Sequence, residues 1–532
     1  ARGYPVVEEG GEVEILLARA SSSQLAGVSL PGPDSRPESY TIVWPAANTL
    51  AVVGSDENGL LYGCLDLAEQ LDMGVDLGAI AERSGTPELV TRGIYLFLHN
   101  EEAERGWVND PAFWQSYADE LARCRYNRFN LIYGHQTSYL VPIYAFMLDD
   151  LDEEFPEIRV SGITPEERAR HLKALQMASE AMAGRGIRFL LGIWSSRPWK
   201  TYNGVWETQP TRVTGTDDLG RLVAYTRTGF TRLIERCPGI GGIQLRMNIE
   251  SGIADQRFFI QSFVPALQDL AARGRRLVVE LRNWGLHPDT VEAFRSAGID
   301  IVVSTKYFAE HQGLPYQPPV MRGSYSYDSF LRKDKPFQWQ VWNLGSHRLF
   351  NWGDPDYARR FALSCHLGGG VGFEVTPPGS QKGYSQWGQV NPGDWQARTD
   401  LPPRWDFQRY WFFHLAFGRL SYDPATGDEV FTHQLAQRTT KAAAPTLLAA
   451  YRAASQVISY LISQRMDDPN MYVWPELDCG GPINHNSIAP PGEVTLFTTA
   501  REHAADLMAG RTGAKLSPFD CARHLDGYAG RD

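Results

Sequence analysis

No stretch of these 532 residues approaches about 18 uninterrupted apolar positions, so no segment reads as a transmembrane helix. Cysteine is scarce and scattered. Cys64, Cys124, Cys237, Cys365, Cys479 and Cys521 form no CxxC pair, which argues against a disulfide framework and against a structural zinc site. Cys64, Cys124 and Cys365 lie in apolar helical contexts and read as small core residues; a Cys479–Cys521 bond is left open. Positive charge is outweighed, with 51 Lys and Arg against 62 Asp and Glu. The net charge of −11 argues against a basic surface of the kind nucleic acid needs. There is no HExxH, no GxSxG elbow and no Gly-rich dinucleotide turn after a strand. Neither a cofactor nor a metal is expected. The chain starts at Ala1 without an initiator Met, and a removed signal peptide would fit a secreted or periplasmic protein.

Aromatic residues, by contrast, are plentiful at 12%, with 15 Trp. Excess indole serves core packing, and it also suits the flat apolar faces of sugar rings. The chain divides into three parts by rhythm. Residues 1–88 hold three strand-like runs, "EVEILLA", "YTIVW" and "TLAVVGS", and the periodic helix "NGLLYGCLDLAEQLDMG", as expected of a small α/β sandwich. Residues 89–420 alternate short apolar strands with amphipathic helices. Several helices carry start signals, such as Asp110-Pro111, Thr164-Pro165 with Glu167, and Asp354-Pro355. Eight strands in this region are the count of a (β/α)8 TIM barrel, with a doubly wound open sheet as the alternative. Residues 421–532 read as mainly helical.

Chemistry in such barrels gathers at the carboxyl ends of the strands. Read in order, those ends present His99; Tyr133 and His135; Trp194; Arg246, Asn248 and Glu250; Glu280, Arg282 and Trp284; Lys306 and Tyr307; Trp342 and Asn343; and Glu374. Three carboxylates among cations, amides and aromatics make the set that glycoside hydrolysis needs. One carboxylic acid protonates the leaving oxygen, and a second carboxylate attacks the anomeric carbon or activates water. Each residue also has a plain structural role to set against this. Glu250 would pair with Arg246 or cap a helix, Glu280 would pair with Arg282 or Arg246, and Glu374 would form a buried pair. His99 and His135 would be satisfied polar groups, and Trp194, Trp342 and Trp387 would be packing.

"YTIVWPAANTLAVVGSDENGLLYGCLDLAEQL" resembles the small α/β domain that precedes the barrel in family-20-type hexosaminidases and family-67-type α-glucuronidases. The shared positions are Tyr40, Ile42, Val53, Gly54, Asp56, Gly59, Tyr62 and Gly63. "TRGIYLFLH" and the following "N-x-x-N" strand, with Arg92, Gly93, Asn127 and Asn130, are similar to the barrel entry of the same group. "FGRLSYDP", Phe417 to Pro424, resembles the step into the helical C-terminal domain of α-glucuronidase-like enzymes. The resemblance implies a three-part glycoside hydrolase whose fourth-strand glutamate, here Glu250, is the general acid. Family-20 enzymes carry an adjacent Asp-Glu pair, whereas Ile249 precedes Glu250 here, which turns the expectation away from N-acetylhexosaminides and towards neutral or acidic sugars. Arg246, Arg282 and Lys306 would then hold a uronate carboxylate.

The expected protein is an exo-acting glycosidase on poly- or oligosaccharide fragments, releasing a uronic acid. Glu250 is the acid, and Glu374 or Glu280 is the second carboxylate, with Glu374 preferred for its glycine-rich strand. Two alternatives stand beside it: a non-catalytic carbohydrate-binding barrel, and a uronate polysaccharide lyase with His135 or Tyr133 as base. The loop "WPELDCGGPINHN", with Trp474, Glu476, Asp478 and His485, is a candidate cover for the barrel mouth. The C-terminal helices are a candidate homodimer face.

Overall fold

The structure, a computed structural model, describes residues 12–21, 32–98, 101–133, 141–198, 212–247, 251–283, 285–311, 313–315, 336–342, 352–378, 403–465 and 496–529. Its N-terminal part is a four-stranded sheet in the order Glu14–Arg19, Thr49–Gly54, Tyr40–Ala46, Arg83–Gly85. The helix Glu57–Asp72 covers one face, packing Tyr62 and Leu67 on Tyr40, Ile42, Leu50 and Val52. The turn into that helix forms for local reasons. Asp56 caps it by accepting from Gly59 N at 2.7 Å, and its other oxygen accepts from Glu38 N at 2.9 Å. Gly59 is required there because a Cβ would lie 2.1 Å from Ser39 O. Asp56→Ala removes both bonds and should cost about 1 kcal/mol or more, read as a lower urea midpoint at unchanged m-value.

The central part is a closed barrel of eight parallel strands. In chain order they are Thr91–Leu98, Arg128–Tyr133, Arg188–Ile193, Ile240–Leu245, Val278–Arg282, Ile301–His311, Phe337–Trp342 and Gly370–Thr376. All eight are those expected from the sequence. The connecting helices described are Pro111–Arg123, Pro165–Ala183, Leu219–Arg236, Arg257–Ala272, Pro288–Ser296 and Pro355–Ser364, and Trp411–Tyr422 follows the last strand. Their starts obey the sequence signals. Asp110 and Asp354 cap helices with Pro at the first turn, and Thr164 and Glu167 close a capping box. Between barrel and helices lies the main core, where outward strand residues such as Phe129, Leu131, Phe189, Leu245 and Val375 meet Trp114, Leu175, Phe230 and Phe263.

The C-terminal part is helical: Asp428–Arg438, Ala444–Arg465, Ala500–Met508 and Pro518–Ala529. It docks on the barrel through Ser455, which accepts from Gly353 N at 2.9 Å, and Arg452, which pairs with Asp356 and Asp428 at 3.4 and 2.6 Å. Among the described residues no helix is long and apolar enough to cross a membrane.

Candidate active site

The pleat sends every second strand residue into the barrel lumen. Lumens of this fold are usually filled by branched apolar side chains; this one is polar. Arg128 and Asn130 enter from the second strand, Gln244 from the fourth, Glu280 from the fifth, Gln338 and Gln340 from the seventh, and Glu374 from the eighth. All are buried, Glu280 and Glu374 completely. Gly93 on the first strand leaves the space Glu374 uses, because a Cβ there would lie 2.7 Å from its Cγ.

Glu280 is the hub. Its Oε1 accepts from Gln244 Nε2 at 2.5 Å and Gln340 Nε2 at 3.0 Å; its Oε2 accepts from Gln338 Nε2 at 2.8 Å and Arg128 Nη1 at 3.4 Å. Glu374 Oε2 accepts from Asn130 Nδ2 at 3.2 Å and Gln340 Nε2 at 3.1 Å, while its Oε1 lies 3.8 Å from Arg128 Nη1. Burial first, and then the nearby Glu280 charge, push the Glu374 carboxyl up to about 8; Arg128 and Asn130 oppose them only in part.

Above this layer, towards the carboxyl ends, sit Tyr95, Phe97, Trp194, Arg246, Arg282 and Thr376. Arg246 stacks on Trp194, its Cζ 3.8 Å from a ring centroid, with Phe97 at 5.4 Å. Its Nε donates to Gln244 Oε1 at 3.0 Å, and Arg282 donates to Gln340 Oε1. The sequence expectation pairs Glu280 with Arg282 or Arg246. The direct ion pair is instead with Arg128, and the two mouth arginines reach Glu280 through glutamines.

Of the residues read from the strand ends, the structure brings Glu280, Glu374, Trp194, Arg246 and Arg282 into one lumen. It turns Tyr133 and Tyr307 the other way. Both lie on the outward side of the pleat in the main core, and Tyr307 donates to Leu314 O at 2.7 Å. Position at a strand end says nothing of side, and the alternation puts these two among the helices. Lys306 and Trp342 sit in the sixth and seventh strands, their side chains outside what the structure describes. Glu250, His99, His135, Asn248, Trp284 and Asn343 lie outside the described residues, as do Trp387, Cys479, Trp474, Glu476, Asp478 and His485.

The chain on either side of residues 248–250 is nevertheless fixed. Ser251, fully buried, offers its carbonyl to Ser196 N at 2.8 Å and closes a turn by donating to Ile253 O at 2.9 Å. Gln256 accepts from His287 N at 3.0 Å and Thr290 Oγ1 at 2.6 Å and donates to Gly285 O. The loop after the fourth strand is thus tied to those after the third and fifth. Among the described residues no group of three His, Cys, Asp or Glu could hold a metal ion.

Arg128, Gln244, Gln338 and Gln340 are not among the residues singled out from the sequence, and Asn130 is singled out there only as part of the barrel entry. Their signal is strict alternation of polar residues within strands, as in "FQWQVW", where an all-parallel barrel ordinarily shows a continuous apolar run.

The eight-stranded parallel barrel thus lies behind a small α/β unit and ahead of a helical part. No protein-family model and no curated protein sequence matches the chain. Among solved structures, the chain is similar to a GH138 enzyme targeting pectin rhamnogalacturonan II, with a TM-score of 0.70 and 17% identity over 99% of this chain and 62% of that one. It also aligns with a GH115 4-O-methyl-α-glucuronidase with specificity for decorated arabinogalactans, at TM-score 0.47 and 13% identity over 97% and 63% of the two chains. A GH20 β-N-acetylglucosaminidase aligns at TM-score 0.40 and 12% identity over 79% and 85%. The last two are too distant to bear on the site. The chain spans less than two thirds of the length of the GH138 enzyme.

Proposed function

We propose that the protein is an exo-acting glycoside hydrolase that removes a uronic acid from poly- or oligosaccharide fragments outside the cytoplasm. Glu250 is its general acid, and the second carboxylate comes from the Glu280 and Glu374 pair. The observation that carries this reading is the polar lumen. Two carboxyl groups lie in one hydrogen-bonded cluster, and the two arginines above them, Arg246 and Arg282, are joined to it through Gln244 and Gln340. Guanidinium groups at the mouth suit a sugar carboxylate by charge and by fork geometry. The barrel shared with a pectin-directed enzyme agrees with an acidic polysaccharide as source.

The complete burial of Glu280 and Glu374 favours one competing reading, a barrel that binds carbohydrate without cleaving it. The lyase reading is weakened by Tyr133, one of its two candidate bases, which faces the helices. A release assay on aryl glycosides and uronate-bearing oligosaccharides, with the product anomer followed by proton NMR, separates the three. Release of a terminal uronic acid is the expected result, and the first-formed anomer gives the stereochemistry. Binding without release across the panel would make the protein a carbohydrate-binding barrel. An unsaturated product absorbing in the ultraviolet would make it a lyase.

A further inference from the structure

Three glutamines surround Glu280, and each is oriented by an arginine. Gln244 Oε1 accepts from Arg246 Nε at 3.0 Å, Gln338 Oε1 from Arg128 Nη1 at 2.7 Å, and Gln340 Oε1 from Arg282. Arginine has donors only, so the amide oxygens must face it and the amide NH2 groups must face the carboxyl. Glu280 therefore meets four donors, two on each oxygen, and no acceptor among these partners. A proton on Glu280 would compete with one of these four N–H groups for its oxygen. Glu374 is different. One oxygen accepts two amide N–H groups, and the other, Oε1, is buried without a hydrogen-bond partner. The two carboxyl groups share one donor, Gln340 Nε2, at 3.0 Å from Glu280 Oε1 and 3.1 Å from Glu374 Oε2. Among the described residues Arg128 is the cation that contacts both.

We propose that the lumen keeps one proton between its two carboxyl groups and that this proton resides on Glu374, leaving Glu280 ionised. The charged and titratable groups that act on Glu374 among the described residues are Glu280 of the fifth strand, Arg128 of the second and Tyr95 of the first, and Arg282 of the fifth strand and Arg246 beyond the fourth act in turn on Tyr95. The one positive charge in contact, Arg128, balances one carboxylate, and a second carboxylate buried beside it is opposed by burial and by the charge of the first. Gln244, Gln338 and Gln340 act as positioning residues that decide which carboxyl is the anion. The consequence for catalysis rests on the glycosidase reading. A carboxylate that attacks carbon or takes a proton from water must be ionised, so at neutral pH Glu280 is in the state that role requires and Glu374 is not.

The assignment is tested on the intact protein without any substrate, by neutron diffraction from crystals exchanged into deuterated buffer near neutrality. A deuteron on Glu374 and none on Glu280 is the expected density. A deuteron on Glu280, or on neither, overturns the proposal. A solution measurement adds a second check. In the window between the ordinary glutamate value of 4.5 and about 8, the unfolded chain has lost the proton that folded Glu374 retains. Stability is therefore full below that window and falls as pH rises through it. Asp66 and Asp354 are also raised by burial, so the wild-type slope alone is not diagnostic. The melting temperature of Glu374→Gln should depend less on pH across the window than that of the wild type, and an unchanged slope counts against the proposal. Failure to find glycosidase activity, with the deuteron on Glu374, would remove the functional reading and leave the proton where it is.

Discussion

Glu250→Gln is expected to lower turnover about 10²–10⁴-fold, the usual contribution of a general acid, while leaving the thermal melt nearly unchanged. The amide matches the carboxyl in size but has no acidic proton for the departing oxygen. The expected loss is therefore graded by leaving group. A nitrophenyl glycoside, whose phenolate departs with little help, should suffer less than an oligosaccharide, whose alkoxide cannot leave unprotonated. That gradient is the signature of acid catalysis, and a damaged fold would depress both substrates alike. A stable melt is expected because the flanking chain is fixed by other residues. Ser251 is held by Ser196 N at 2.8 Å, and Gln256 is held by Thr290 and His287. Rates of the wild type and Glu250→Gln on one nitrophenyl glycoside and one oligosaccharide, with calorimetry on both proteins, decide the matter. A folded Gln variant that turns over the oligosaccharide at the wild-type rate removes Glu250 from the role.

Much of the architecture was legible because its signals are local. A capping aspartate followed by proline, as at Asp110 and Asp354, marks a helix start whatever surrounds it, and the strand count along residues 89–420 followed from the same punctuation. The residues that carried the resemblance prove to be joints. Asp56 and Gly59 make the helix turn of the first part. Arg92 and Asn127 bind Glu38, and Tyr422 of "FGRLSYDP" donates to the Glu38 carbonyl at 2.8 Å. Such positions are readable because their geometry tolerates few side chains. The lumen was only partly legible. Glu280 and Glu374 stood out as carboxylates on apolar strands, yet their surroundings are set by contacts between strands up to about 240 residues apart, such as Asn130 with Glu374. Nothing local announces that Gln338 and Gln340 face a carboxylate. Tyr133 and Tyr307 show the converse: a residue type suited to a site lies at the right end of a strand and on its wrong side.

Arg92→Met is expected to cost about 3–5 kcal/mol, the range found when one member of a buried ion pair is removed. Arg92 is wholly buried where the first barrel strand meets the N-terminal sheet and the last barrel helix. Its Nη2 donates to Glu38 Oε2 at 2.5 Å, its Nε to Arg125 O at 2.8 Å and its Nη1 to Leu89 O at 2.7 Å, and its guanidinium lies 5.3 Å from the Tyr422 ring. Methionine fills much of the volume but satisfies none of the three acceptors. Among the described residues the Glu38 carboxylate would keep only the Asn127 amide, at 3.0 and 3.2 Å. Lysine should rescue little, since a point charge cannot reproduce a planar fork aimed at three acceptors. Adding Glu38→Gln should recover part of the loss, because it removes the uncompensated charge while keeping an acceptor for Asn127. The non-additivity of the cycle then measures the coupling. The damage should first appear as opening of the seam, with the N-terminal sheet cut by protease before the barrel, because this network ties the two together. Limited proteolysis and denaturant unfolding of the two single variants and the double variant test this. An Arg92→Met protein as stable and as resistant as the wild type would mean that the seam is held by its apolar contacts alone, with Tyr40, Tyr62 and Tyr422 packed together as the place to look.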